Sequence, residues 1–177
     1  MPPVTTASLA DAIQTAASPF NAREFRDAMG QFATGVVVIS TEVQGDAHAM
    51  TANAFMSGSL EPPLVLVSVA CTARMHDKIK QSGQFGISVL SQDQQAVSSH
   101  FAGRPMEGFQ PAFDRLKELP VIRGAAVQVA ASLEYAYPCG DHTLYVGRVV
   151  ALRGRDEKPP PLLYHAGRYA SAQPMTC

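Results

Sequence analysis

Residues 126–152 read AVQVAASLEYAYPCGDHTLYVGRVVAL. Two long strand-like stretches, Val127 to Tyr137 and Thr143 to Leu152, flank Pro138-Cys139-Gly140-Asp141, a cluster of residues that favour tight turns. Consecutive strands joined by so short a link pair antiparallel, so this segment predicts a hairpin. Upstream, Phe85 to Leu90 alternates Phe85, Ile87 and Val89 with small or polar neighbours, the period of a half-buried strand. Leu64 to Val69 follows the Pro62-Pro63 break as another β-branched run, and so does Val36 to Ser40. Strands at short spacing with few helices between them predict a mainly β, antiparallel barrel flanked by helices. An alternating βα pattern and a GxGxxG phosphate loop are both absent, which excludes a Rossmann reading.

Three helices interrupt this pattern. Asn21 with Glu24 three residues on resembles a capping box, and Phe25, Met29 and Phe32 recur at helical spacing until Gly35 stops the helix. A second helix is expected from Thr72, as N-cap, to about Ser82. A third is expected from Ser91, with Gln94 in the box position, to about Phe101. Residues 1–20 read as a loose arm with a weak helix from Ser8 to Ala17, residues 21–170 as one domain, and residues 171–177 as a tail.

Composition bounds the function. With 177 residues, 46% of them apolar, the chain suffices for one core. A formal net charge of -1 provides no electrostatic footprint for nucleic acid or a membrane surface. Cys71, Cys139 and Cys177 lack the spacing of a zinc site or a redox dithiol. Reduced thiols, the lack of a signal-peptide pattern at the start, and apolar runs no longer than strands predict a cytoplasmic protein. His48, His76, His100, His142 and His165 show no metal-binding spacing, so no metal is expected.

Several segments suit a cofactor. In Met50-Thr51-Ala52-Asn53, small Ala52 lets a flat ligand approach the backbone, while Thr51 and Asn53 offer polar partners in plane. The same residues also suit an ordinary polar strand. At Ser68-Val69-Ala70-Cys71-Thr72-Ala73-Arg74 a strand passes into a helix whose free N–H groups favour an anion. Arg74 in the first turn opposes the helix dipole unless an anion is bound, and Lys78 lies on the same face. A capped surface helix with stray charges fits equally. His100-Phe101-Ala102-Gly103-Arg104 ends a helix with a flexible glycine and a cation. His142 follows a tight turn beside Asp141, a placement that is more often structural or exposed than catalytic. The segment Pro161 to Tyr169 gathers aromatic, His and Arg groups that either cover a cofactor or dock the tail.

The order of these motifs carries more than any one of them. Phe25-Arg26-Asp27-Ala28-Met29-Gly30, Phe32-Ala33-Thr34-Gly35-Val36, Met50-Thr51-Ala52-Asn53, Pro63-Leu64-Val65-Leu66-Val67-Ser68, His100-Phe101-Ala102-Gly103, Gly140-Asp141-His142-Thr143-Leu144 and Pro161-Leu162-Leu163-Tyr164 occur in one order, and in that order they resemble the flavin reductase family. The resemblance runs from Phe25 to Tyr169 and is nearest to reductase partners of phenol- and 4-hydroxyphenylacetate-type hydroxylases.

It implies an FMN-binding split β-barrel, a homodimer with flavin near the subunit interface. It also implies hydride transfer from NADH or NADPH to FMN or FAD, and release of reduced flavin to a partner monooxygenase acting on an aromatic compound. By the same resemblance Met50, Thr51, Ala52, Asn53 and Ser57 contact the flavin ring, and Ser68, Val69 and Ala70 follow its ribityl chain. Thr72, Arg74 and Lys78 hold phosphate, with Phe101, Ala102 and Gly103 closing over it. His142 positions flavin and nicotinamide, and Tyr164, His165 and Tyr169 lie on the nicotinamide side. Cys71 stands where relatives lead one to expect a small polar or charged residue. Two alternatives share the fold class: a barrel with fixed FMN that reduces another organic substrate, and a non-enzymatic flavin or haem binder.

Overall fold

The computed structural model describes residues 18–173. The expected Ser8–Ala17 helix, most of the arm and the end of the tail lie outside the described residues. Helix α1 (Ala22–Met29) starts with the expected capping box: the Asn21 side chain accepts from the Arg23 and Glu24 N–H groups, and the Glu24 carboxylate accepts from the Asn21 N–H at 2.8 Å. It ends at Gly30, five residues before the expected stop at Gly35. Gly35 belongs instead to β1 (Thr34–Gly35), which pairs with Leu163 and Tyr164. No residue of α1 is buried, so Phe25 and Met29 keep their helical spacing without a core to fill.

Seven strands form one antiparallel sheet: β2 (Val37–Val43), β3 (Asp46–Ala52), β4 (Phe55–Leu60), β5 (Pro63–Ala70), β6 (Gln84–Val89), β9 (Val127–Cys139) and β10 (His142–Gly154). Their order is β3-β2-β6-β9-β10-β5-β4. The outermost strands β3 and β4 are consecutive in the chain, joined only by Asn53-Ala54. The sheet therefore rolls until its two edges converge at that link, which gives the split-barrel form. The hairpin expected at residues 126–152 is its longest pair, and its strands run one or two residues further than expected, leaving only Gly140 and Asp141 in the turn. Gly140 adopts φ 61°, a left-handed conformation that glycine supplies at no steric cost.

Alternation sets the two faces. Along β5, Val65, Val67 and Val69 are buried while Leu66, Ser68 and Ala70 are half-buried on the other face. Inside the roll Val37, Ile39, Val67, Phe85, Ile87 and Tyr145 pack with Met75 and Ile79 of α2 (Arg74–Ser82). A second cluster, Val36, Val38, Leu90, Val97, Ile122 and Leu162, lies under α3 (Gln95–Phe101) and the hairpin of β11 (Leu162–His165) and β12 (Arg168–Ser171). The remaining strands, β7 (Phe113–Leu116) and β8 (Leu119–Ile122), pair with each other.

Two helix starts differ from expectation. Helix α2 begins at Arg74 with Ala73 in the cap position and no side-chain cap, so Thr72 is not its N-cap. The Cys71 N–H donates to Asp141 O and the Ala73 N–H to Ala70 O, each at 2.9 Å, and this turn holds Cys71 and Thr72 outside the helix. Before α3, the Gln94 side chain accepts from the Ser91 N–H at 3.2 Å as the capping-box pattern requires. That pair closes a single 3-10 turn, and the α-helix proper follows one residue later.

Candidate functional site

Strand β3 is a sheet edge, so one row of its backbone N–H and C=O groups has no strand partner. A groove with three clefts follows this edge. The middle cleft, about 260 Å³, is lined by Val36, Thr51, Ala52 and Asn53 on one side and by Ser98, Ala102, Arg104, Tyr164, Arg168 and Tyr169 on the other. It shares Thr51 and Ala102 with a second cleft of about 650 Å³ between β3, the start of α2 and the end of α3. Beyond Asn53 lies a third, largely apolar cleft of about 800 Å³, lined by Met29, Phe32, Phe55, Met56, Leu66, Ser68 and Leu144 among others.

The groove brings together Met50, Thr51, Ala52, Asn53, Arg74, Phe101, Ala102, Gly103, Tyr164 and Tyr169, with Ser68 in the apolar cleft. Other residues singled out in the sequence lie apart from it. The Val69 side chain is fully buried in the core, which leaves it only its backbone to offer. Ser57 lies further along β4, Thr72 lies in the exposed turn before α2, Lys78 one turn further along that helix, and His165 at the exposed tip of the β11–β12 hairpin. None of these four lines a cleft.

His142 opens β10, where it pairs with Ala70 on one side and Cys139 on the other. Paired residues share a face, so His142 and Leu144 stand with Ala70 and Ser68 in a row leading back to the apolar cleft. Its Nδ1 lies 2.7 Å from the Asp141 carboxylate, and this hydrogen bond holds the Asp141 carboxyl below its usual range. His142 and Asp141 thus touch although they are chain neighbours. Behind them, His76 bonds through Nε2 to Thr143 Oγ1 at 2.9 Å, and the Tyr145 hydroxyl donates to His76 O at 2.9 Å. This buried network anchors the start of β10 to α2.

Cations are placed selectively. Arg115, Arg123, Arg148 and Arg155 are each paired with a carboxylate. Among the described residues no carboxylate lies within ion-pair distance of Arg74, Arg104 or Arg168, the three arginines that line the middle and second clefts. His48 and Ser98 were not singled out in the sequence as site residues, and Arg104, Arg168 and His100 only as members of longer segments. A lone His or Arg carries no period or spacing, so its placement emerges only when β3, α3 and β12 converge.

An antiparallel split barrel with an open, cationic, aromatic-sided groove along a sheet edge defines a cofactor-handling class of β protein. Comparison with known proteins narrows it. Residues 29–173 match the flavin reductase like domain. The chain is 44% identical over 151 residues to an NADH-dependent flavin reductase of Rhodococcus sp, covering 84% of this chain and 85% of that one. It is 39% identical over 143 residues to the reductase component of 4-hydroxyphenylacetate 3-monooxygenase of Thermus thermophilus, covering 81% of this chain and 92% of that one. A solved flavin reductase in its native state superposes with a TM-score of 0.84 at 44% identity, covering 88% of this chain and all of that one. The chain belongs to the flavin reductase family.

Proposed function

We propose that this protein is an NADH-dependent flavin reductase that reduces FMN, or FAD, and releases it to a monooxygenase partner acting on an aromatic compound. The observation that carries this reading is the groove itself, in which an open sheet edge, small Ala52 and Ala102, two tyrosines and three arginines without a carboxylate partner among the described residues line adjoining clefts. The donor set fits a flavin. The polar pyrimidine edge of the ring needs hydrogen-bond partners once buried, and Asn53 with the open β3 edge supplies them. Ala52 and Ala102 leave the ring room to lie flat.

When bound, the flavin supplies the redox chemistry by accepting a hydride from the nicotinamide. The chain's part is to hold two rings at contact distance with the correct faces opposed. Asn53 and the β3 backbone orient the flavin, Ser68 and Ala70 border its side chain, and Arg74 meets its phosphate. Tyr164 and Tyr169 wall the nicotinamide side, where Arg104 and Arg168 attract the dinucleotide's diphosphate. His142, oriented by Asp141, fixes the stacked pair from the Ser68–Ala70 row. Neutral contacts to the ring in an open groove let the reduced flavin leave, as suits a diffusible product.

The same reading includes a homodimer and a cytoplasmic location. Met29, Phe32 and Met56 are all more than half exposed around the apolar cleft, and in this reading a second copy of the chain covers them. Among the described residues no helix is long and apolar enough to cross a membrane.

The test is steady-state oxidation of NADH and NADPH with catalytic protein and free FMN or FAD. Turnover with NADH and FMN, faster than with NADPH, is expected. Absence of turnover in all four combinations rejects the reductase. Turnover that needs a third substrate, with flavin retained through dialysis, favours the fixed-flavin alternative. Light scattering that reports a monomer at micromolar concentration rejects the dimer.

A further inference from the structure

The middle cleft does not end at Tyr169. A further cleft of about 420 Å³, room enough for a nucleoside, opens between the start of α3 and β12 and shares Tyr169 with it. Gln95, Ser98 and Ala102 recur at helical spacing, so α3 and its cap present one face along both clefts. Tyr169 and Ser171 stand on one face of β12 opposite it. Helix and strand thus carry the groove on past the tyrosines.

The charge changes sign along the way. No Asp or Glu lines the three clefts of the groove, and Arg104 and Arg168 line the middle one. Asp93 lines the further cleft, beside the amides of Gln92 and Gln95 and the Ser171 hydroxyl. Its carboxylate is exposed, and among the described residues no cation lies within ion-pair distance of it. The turn that carries it is braced. The Gln92 N–H donates to Pro160 O at 2.9 Å, and the Gln94 side chain accepts from the Ser91 N–H and donates to Arg123 O at 3.0 Å. Asp93 is therefore held in place as an acceptor with nothing yet to accept from.

A dinucleotide matches this order of charges. Its diphosphate needs cations, and the ribose beyond it offers vicinal hydroxyls that a carboxylate accepts from directly. A 2′-phosphate on that ribose would instead meet like charge, with no Lys or Arg lining the cleft to offset it. We propose that the adenosine half of NADH lies in this further cleft, where the Asp93 carboxylate accepts from the ribose 2′-hydroxyl and excludes NADPH. This rests on the reductase reading above and its placement of the diphosphate at Arg104 and Arg168. Arg168 immediately precedes Tyr169 on β12, so a diphosphate held there stands at the entrance to the cleft. Asp93 determines which coenzyme binds and leaves the hydride step to the other end of the groove.

An acidic residue in a first turn also favours the helix dipole, and that role alone would treat all coenzymes alike. The test is steady-state kinetics at saturating FMN with NADH, NADPH and NADH lacking the adenosine 2′-hydroxyl, on the wild type, Asp93→Ala and Asp93→Asn. The wild-type KM should be about tenfold lower for NADH than for either of the other two, the effect of one hydrogen bond to a charged group. Asp93→Ala should raise the KM for NADH about tenfold, bring the deoxy coenzyme within about twofold of it, and lower the KM for NADPH about fivefold. Asp93→Asn, which keeps an acceptor and loses the charge, should retain part of the preference for NADH over the deoxy coenzyme while admitting NADPH. With NADH, kcat should stay within about twofold of wild type in both variants. Parallel rises of all three KM values in Asp93→Ala overturn the proposal, because a purely structural role predicts that pattern. A wild type that uses NADPH or the deoxy coenzyme as well as NADH overturns it while leaving the reductase standing. Absence of turnover with every coenzyme rejects both.

Discussion

The Thr51 hydroxyl donates to Ser98 O at 2.7 Å, tying the sheet edge to α3 across the middle cleft. The Ser98 hydroxyl in turn lies 2.8 Å from the Tyr169 hydroxyl, and Tyr169 packs edge-on against Tyr164 at 5.6 Å. One relay thus joins β3, α3 and the β11–β12 hairpin, the three walls of the cleft. Thr51 is read from the sequence as a ring contact, yet its proton is already committed to the wall opposite. Its structural part is to set the width of the groove.

Thr51→Val keeps the shape and removes that bond. Ser98 O keeps the Ala102 N–H at 3.0 Å, so the carbonyl stays partnered and the helix survives. The expected loss of stability is about 1 kcal/mol, or a melting point lower by roughly 2–4 °C. Flavin affinity should fall about fivefold as α3 loosens, measured by fluorescence titration beside a thermal melt. An unchanged affinity with the lowered melting point would separate the bond from the groove.

How far this site was legible depended on pattern length. The strands around Val67, Ile87 and Tyr145 were readable because β-branched and alternating residues fill them. The hairpin at Gly140 was readable because its turn residues are distinctive. Asp46–Ala52 and Phe55–Leu60 have weak strand signals, since alanines, serines and a glycine dominate them. They are nevertheless the two edges whose meeting at Asn53 creates the groove. Thr72 misled because Ser, Thr, Asp and Asn mark helix starts locally, while the long-range bond from Cys71 to Asp141 decided where α2 begins. His48 and Arg168 could not be singled out, because nothing within several residues of either one records which strand or helix it will face.

Arg104 and Arg168 should govern nicotinamide affinity. Neither is paired with a carboxylate among the described residues, and they line the same cleft from α3's exit and from β12. Arg168→Gln and Arg104→Gln are each expected to raise the KM for NADH about tenfold, with the KM for FMN within about twofold of wild type. Added salt should raise the wild-type KM toward that of the variants, because exposed charges are screened. Parallel rises in both KM values would show that the arginines act on the whole groove and would remove the assignment.

His142 should divide turnover from binding. Its hydrogen bond to Asp141 fixes the ring, and its place beside Ala70 lies outside the clefts that hold most of the ligand contacts. His142→Ala is expected to lower kcat by about ten- to a hundredfold, the effect of losing ring positioning, while FMN affinity changes less than about threefold. Asp141→Asn, which weakens the orienting bond without removing the ring, should fall between. A His142→Ala enzyme with wild-type kcat would end the role given to this residue.

Tyr145 sets an alkaline limit on the fold. Its side chain is fully buried, its hydroxyl donates to His76 O, and burial pushes its pKa up to about 12 from an unperturbed 10.0. The native state therefore favours the protonated phenol. That contribution is complete below pH 10.0 and is lost as pH rises from there through about 12. The difference corresponds to roughly 2–3 kcal/mol at the top of that window. Urea midpoints measured from pH 8 upward should stay level and then fall for the wild type. Tyr145→Phe should start lower at pH 8, by about 1 kcal/mol for the missing hydrogen bond, and then decline less steeply, so the two curves converge. Parallel curves over the whole range would place the alkaline transition elsewhere in the molecule.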